Sequence, residues 1–143
     1  MNSASPSYQD TPAGTEITPR QYQVTRRDLV RYAGASGDFN PIHWNERTAK
    51  SVGLPDVIAH GMLTMALAGR FLTEWAGDPG AVAEFGVRFS APVVVPDDDK
   101  GTIVEIAGVV TGQLDGHRVA VDVTARSGDV KVLTRAQAVV RLR

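Results

Sequence analysis

The chain has 143 residues, 43% hydrophobic and 22% charged, a length and balance that suit one globular domain with a real core and exclude a disordered or fibrous protein. Its formal net charge of −1 argues against nucleic acid as the main partner, because domains that grip the phosphate backbone are basic. The chain has no cysteine, which removes disulfides, thiolate zinc sites and cysteine nucleophiles.

The N-terminal stretch 1–14 lacks a basic start followed by an apolar core, so no secretory signal is expected. Its Ser, Pro and Thr content reads as a disordered tail, leaving 15–143 as a single domain. Residues 21–24 read as a short strand. Thr25 is placed to cap a helix, with the carboxylate of Asp28 at the third helical position favouring the positive helix end. Leu29, Val30, Tyr32 and Ala33 give that helix an apolar face, and Gly34 and Gly37 are expected to stop it. Arg26, Arg27 and Arg31 form a small basic face, read as solvated in preference to a docking patch for an acidic carrier protein. The loop SGDFNPIH (36–43) follows. Asn45 then caps a short helix, 46–52, closed by Gly53, and Pro55 breaks the chain again.

Residues 60–75 are apolar almost all round at their start, the pattern of a helix buried on most sides, ended by Gly77. The longest charge-poor apolar run, 57–69, falls short of the ~20 residues of a membrane span, so a cytoplasmic protein is expected. From Val82 the texture changes to Val-, Ile- and Thr-rich strands over 82–89, 102–111, 117–126 and 130–142. Asp115-Gly116 marks a hairpin and Ser127-Gly128-Asp129 a second tight turn, while Val119, Val121 and Val123 alternate with polar or small residues. This predicts an α+β domain, an antiparallel sheet wrapped around one helix, with exposed sheet edges suited to pairing with a second chain.

Two places carry chemistry. In the loop, Pro41 fixes its own φ and pushes Asn40 into an extended conformation, and the Asn40 side chain can bond nearby backbone. A stiff turn of this kind can bring Asp38 and His43 to the same side, an acid–base combination. The same residues also fit a structural corner with a hydrogen-bonded histidine, and the loop alone leaves both readings open. The second place is Gly61, at the start of the apolar helix, where a bare N–H can meet a developing oxyanion. Gly61 equally suits a close-packing point. His60 beside it reads as a satisfied structural residue, His117 as surface, and the stripe Met62, Leu63, Met65 and Leu67 as core. Asp38, His43 and His60 could form a two-histidine, one-carboxylate set, but their spacing matches no metal signature and no metal is expected.

Tyr32, the loop 36–43 and Ala49, six residues after His43, together resemble the hydratase motif of the MaoC-like, (R)-specific enoyl-thioester hydratases. The stretches IAHGMLT (58–64) and VRFSAPV (87–93) also resemble that family, and the resemblance runs from about residue 24 to the C-terminus. Within the family, stretches 36–44, 52–54, 59–65 and 75–82 are most similar to the catalytic subunit of mycobacterial-type (3R)-hydroxyacyl-ACP dehydratases.

The resemblance implies a hot-dog fold and a dimer, either with itself or with a related non-catalytic hot-dog subunit. It implies an acyl-CoA or acyl-ACP thioester substrate and no metal or redox cofactor. Asp38 and His43 match the catalytic pair, Asn40 the loop-holding asparagine and Gly61 the backbone donor to the thioester carbonyl. His43 is then expected to remove the α-proton while Asp38 assists departure of the β-hydroxyl, with syn hydration as the reverse. Fatty-acid elongation is the expected setting. A homodimeric (R)-specific enoyl-CoA hydratase of β-oxidation or polyhydroxyalkanoate precursor supply uses the same residues. A non-catalytic acyl-thioester-binding protein is disfavoured by the intact Asp38 and His43, and a thioesterase by the paired loop.

Overall fold

The computed structural model describes residues 4–143. Its elements are β1 (Glu16–Val24), α1 (Arg26–Ser36), a 3-10 turn (Pro41–His43), α2 (Glu46–Ser51), α3 (Gly61–Ala76), β2 (Val82–Phe89), β3 (Thr102–Leu114), β4 (Arg118–Ser127) and β5 (Val130–Arg141). The strands form one antiparallel sheet in the order β1-β3-β4-β5-β2. The last three strands are a meander, and the two earlier ones return to its outer edges. The sheet packs around α3, which touches β1, β2, β3 and β5. This is the α+β, hot-dog arrangement expected from the sequence.

Local signals set most boundaries. The Thr25 hydroxyl accepts from the Asp28 N–H, and the Asp28 carboxylate accepts from the Thr25 N–H at 2.8 Å, a capping box with Asp in the usual Glu place. Gly37 ends α1 with φ 77°, its N–H donating to the Ala33 carbonyl. Gly34, expected to help stop the helix, lies inside it; mid-helix glycine weakens a helix by about 1 kcal/mol without breaking it. On β4, Val119, Val121 and Val123 all point into the core.

Several expectations are corrected. Only one stripe of α3 is fully buried: Thr64, Ala68, Phe71, Leu72 and Ala76. Met62 is exposed, and Leu63 and Leu67 lie half-buried at the core margin, because a single sheet covers only the side of the helix it curls around. In the first hairpin the left-handed residues are Gly116 and His117, not Asp115, so the turn has three residues between Leu114 and Arg118. The ring of His117 stacks on Tyr8 at 5.1 Å.

The tail expected to be disordered over 1–14 is held down from Tyr8 onward, while residues 1–3 lie outside the described residues. The Tyr8 N–H donates to the Arg143 carbonyl at 2.8 Å, its hydroxyl donates to the Leu114 carbonyl, and the Gln113 amide donates to the carbonyls of Tyr8 and Thr11. Thr11 is buried. Composition misses this because every one of these partners lies more than a hundred residues away. Arg26 is not on a free basic face either. Its guanidinium pairs with Glu46 at 3.1 Å and Asp56 at 3.0 Å, and its Nε–H donates to the Val95 carbonyl, tying α1 to α2 and to the segments flanking the cleft. Among the described residues no helix is long and apolar enough to cross a membrane.

Candidate active site

The loop between α1 and α2 is braced by its own side chains. The Ser36 hydroxyl accepts from the Asp38 N–H, Asp38 Oδ1 from the Asn40 N–H at 3.1 Å, and Asn40 Oδ1 from the Ile42 N–H at 3.3 Å. Asn40 takes the extended ψ of 123° that Pro41 demands, and the Trp44 indole N–H closes the loop on the Phe39 carbonyl at 3.0 Å. Asn40 thus shapes the loop and does not line the cleft beside it.

This bracing turns Asp38 and His43 toward each other. His43 is buried, and its Nδ1 lies 2.7 Å from the Ile58 carbonyl. A carbonyl only accepts, so Nδ1 carries a hydrogen, and in the neutral ring the Nε2 lone pair is free. That Nε2 faces Asp38 Oδ2 at 3.9 Å, with the carboxylate half-exposed. The separation exceeds a hydrogen bond and leaves an oxygen atom room to contact both groups.

The facing wall comes from residues 57–59, held against 93–95 by the bonds Ala59 N–H to Val93 carbonyl and Val95 N–H to Val57 carbonyl. The Ile58 N–H also donates to the Ile42 carbonyl at 3.2 Å. α3 then starts at Gly61, whose N–H has no acceptor within the helix. A Cβ on Gly61 would meet the Phe89 ring at 3.0 Å, so glycine is what lets the backbone and that ring approach. Asp38, His43, Gly61, Met62 and Phe89 line a cleft of about 540 Å³, within the size range of small-ligand pockets.

His60 lies against the pair in the wall of the same cleft. It is fully buried, its Nε2 lies 3.1 Å from the Asp38 carbonyl, and its ring stacks on His43 with centroids 3.8 Å apart and planes 22° from parallel. The Tyr32 ring meets it edge-on at 4.8 Å. Burial holds the His60 pKa below the usual imidazole value, against the pull of the Asp38 carbonyl.

One ligand atom from each of Asp38, His43 and His60 lies within 4.8 Å of the others. A metal sits in the plane of each imidazole that binds it, roughly 2 Å from the nitrogen. The planes of two nearly parallel stacked rings do not meet at that range, so the rings as placed do not fit a shared ion.

Sequence reasoning reached Asp38, His43, Gly61 and Asn40, and the structure gathers the first three at one cleft. It missed the Phe89 ring over Gly61 and the Ile58 carbonyl on His43, neither of which has a local signal.

A family model described as MaoC like domain matches residues 8–128. The 3-hydroxyacyl-thioester dehydratase X of Mycobacterium tuberculosis is 45% identical over 74 residues, which are 52% of this chain and 25% of that protein. The 3-hydroxybutyryl-CoA dehydratase of Methylorubrum extorquens is 33% identical over 129 residues, 88% of this chain and 78% of that one. A solved MaoC-like dehydratase superposes with a TM-score of 0.92 and 44% identity, over 97% of this chain and 43% of its own. The chain therefore spans a quarter of the length of the first relative and under half of the solved one.

Proposed function

Since the chain belongs to the MaoC-like domain family, we propose that it is a (3R)-hydroxyacyl-thioester dehydratase, running in reverse as an (R)-specific enoyl-thioester hydratase. The observation that carries this reading is the meeting of Asp38 Oδ2 and His43 Nε2, 3.9 Å apart, across the cleft from the start of α3. The dehydratase relatives support the same reaction class.

In dehydration, the thioester carbonyl accepts from the Gly61 N–H at the positive end of α3, which stabilises the enolate-like oxygen as it forms. His43 Nε2 takes the proton from the α-carbon. The β-carbon–oxygen bond breaks, and the departing hydroxyl collects that same proton from the imidazolium and leaves as water. Asp38 holds the hydroxyl through its O–H and aims it at His43. His43 ends neutral, and the product is the trans-2-enoyl thioester. Both proton transfers use one nitrogen, so loss and addition of water occur on one face of the substrate. Asn40 keeps the loop in the shape that makes this possible.

We place the protein in the cytoplasm and in fatty-acid elongation, as the catalytic member of a two-subunit dehydratase acting on acyl-carrier or CoA thioesters. Met62 and Phe89, which line the cleft with Asp38 and Gly61, and Phe39 and Trp44, hydrogen-bonded to each other in the loop segment that carries Asp38, are large apolar side chains each more than half exposed and support a second hot-dog subunit here.

The test is hydration of a short trans-2-enoyl-CoA by the purified chain, alone and co-expressed with a small hot-dog protein lacking the Asp/His pair. A (3R)-hydroxyacyl product is expected, with D38N and H43Q slower by about 100-fold or more. Full activity in both variants overturns the reading.

A further inference from the structure

His60 is bound to the site by three contacts at once. Its Nε2 meets the backbone of the loop that carries Asp38, its face covers the ring of His43, and its edge is met by Tyr32 from α1. The residue also caps α3 immediately before Gly61, yet its side chain makes no capping bond to the helix. An N-cap side chain that turns away from the helix end and across to another segment is serving that other segment.

The protonation state follows from the bonds. The Asp38 carbonyl can only accept, so His60 Nε2 carries the hydrogen. Nδ1 is buried and has no hydrogen-bond partner among the described residues. A proton there would be a buried donor with nothing to receive it, whereas an empty lone pair costs less. The ring is therefore neutral, in agreement with its depressed pKa. Its neighbours sharpen the point. His43 becomes positive when it takes a substrate proton, and a second imidazolium 3.8 Å away would oppose that step.

We propose that His60 is a positioning residue of the dehydratase site, its Nε2–H clamping the Asp38 loop onto the start of α3. This rests on the dehydratase reading of Asp38, His43 and Gly61. It differs from a packing role in what it predicts. A packing residue needs volume, whereas the clamp needs a donor at the position of Nε2. A glutamine places its amide nitrogen near there without an imidazole ring, and a phenylalanine keeps a ring without the donor.

The experiment compares wild type, H60F, H60Q and D38N in steady-state hydration of a short trans-2-enoyl-CoA, with backbone hydrogen exchange over residues 38–44 on the same samples. The clamp predicts that H60F lowers kcat by roughly 10- to 100-fold with KM changed less than about threefold, and speeds exchange in the loop. H60Q recovers most of the kcat and restores slow exchange. Wild-type kcat and exchange in H60F overturns the proposal, as does an H60Q no better than H60F. If H60F does not fold, H60Q alone decides, near-wild-type kcat supporting the clamp and a loss of tenfold or more overturning it. A wild-type chain that hydrates no enoyl thioester, alone or co-expressed, sinks the dehydratase reading instead, and the exchange comparison then still decides the clamp.

Discussion

His43 and His60 donate in opposite directions across the same gap. His43 Nδ1–H, from the loop, reaches the Ile58 carbonyl ahead of α3, and His60 Nε2–H, from the start of α3, reaches the Asp38 carbonyl in the loop. The two rings lie stacked between these bonds. Asp38, His43 and the helix-start N–H are thus registered to one another by imidazole–carbonyl bonds, in addition to the backbone bond from Ile58 to Ile42.

This geometry separates the cleft-facing Nε2 of His43 from the Nδ1 that anchors the ring. Asparagine at position 43 places an amide nitrogen near the position of Nδ1, keeping the bond to Ile58, but has nothing at Nε2. H43N should therefore unfold within about 1 kcal/mol of wild type in urea while losing about 100-fold or more in turnover. D38N should behave alike, because an asparagine oxygen can still accept from the Asn40 N–H. A turnover rate near wild type in folded H43N removes His43 from the chemistry.

Gly61 makes a steric prediction. A methyl there meets Cδ1, Cε1 and Cγ of Phe89 at 3.0 to 3.3 Å, so G61A should cost about 1–2 kcal/mol and slow turnover at least tenfold as ring and helix start move apart. F89A should absorb the clash. The stability cost of the double variant G61A/F89A should fall short of the sum of the single costs by 0.5 kcal/mol or more. Additive costs show that another contact demands the glycine.

Tyr22 reports on the far end of α3. Burial, then the charge and hydrogen bond of Glu74, push its pKa up to about 12, against Arg20 and Arg70. The folded state keeps a proton that the unfolded state gives up near the ordinary value of 10.0, so the protein should lose stability as pH rises from about 10 to about 12. In a phenolate absorbance titration, one of the three tyrosines should lag the others. E74Q should move it back only part of the way, because burial, the larger cause, remains.

Arg26 should prove structural. R26A leaves Glu46 and Asp56 without their shared partner and the Val95 carbonyl without its donor, a loss of about 2–4 kcal/mol in urea unfolding. R26K should recover little, since one ammonium cannot reproduce the fork. The guanidinium is 19% exposed, so 1 M salt should shrink the difference only slightly.

What could be read from the sequence follows the distance over which each signal acts. The Thr25/Asp28 box, the left-handed Gly37 and the Asn40-Pro41 turn are contacts within a few residues, and their chemistry is visible in the letters. Asp38 and His43 were accessible for the same reason, because the loop that aligns them is local. His60 was read as an ordinary structural histidine because what distinguishes it lies elsewhere, a carbonyl 22 residues away and a ring on another segment. The held-down stretch from Tyr8 to Thr11 and the pairing of Arg26 escaped for the same reason. So did the partial exposure of α3: an apolar run announces that it can be covered, not by how many layers.

The crossed imidazole bonds also bear on which side of the cleft can move. Swinging the 38–43 loop aside would break both of them, unstack two rings and strip Nε2 and Nδ1 of the bonds that fix their tautomers. That loop is a poor lid. The opposite side of the cleft, lined by Met62 and Phe89 with more than half of their surface free, has no side-chain hydrogen bonds from these two residues and is the face a second subunit would cover. The loop that carries Asp38 and His43 therefore stays fixed, and any opening or covering of the cleft falls to the side of Met62 and Phe89.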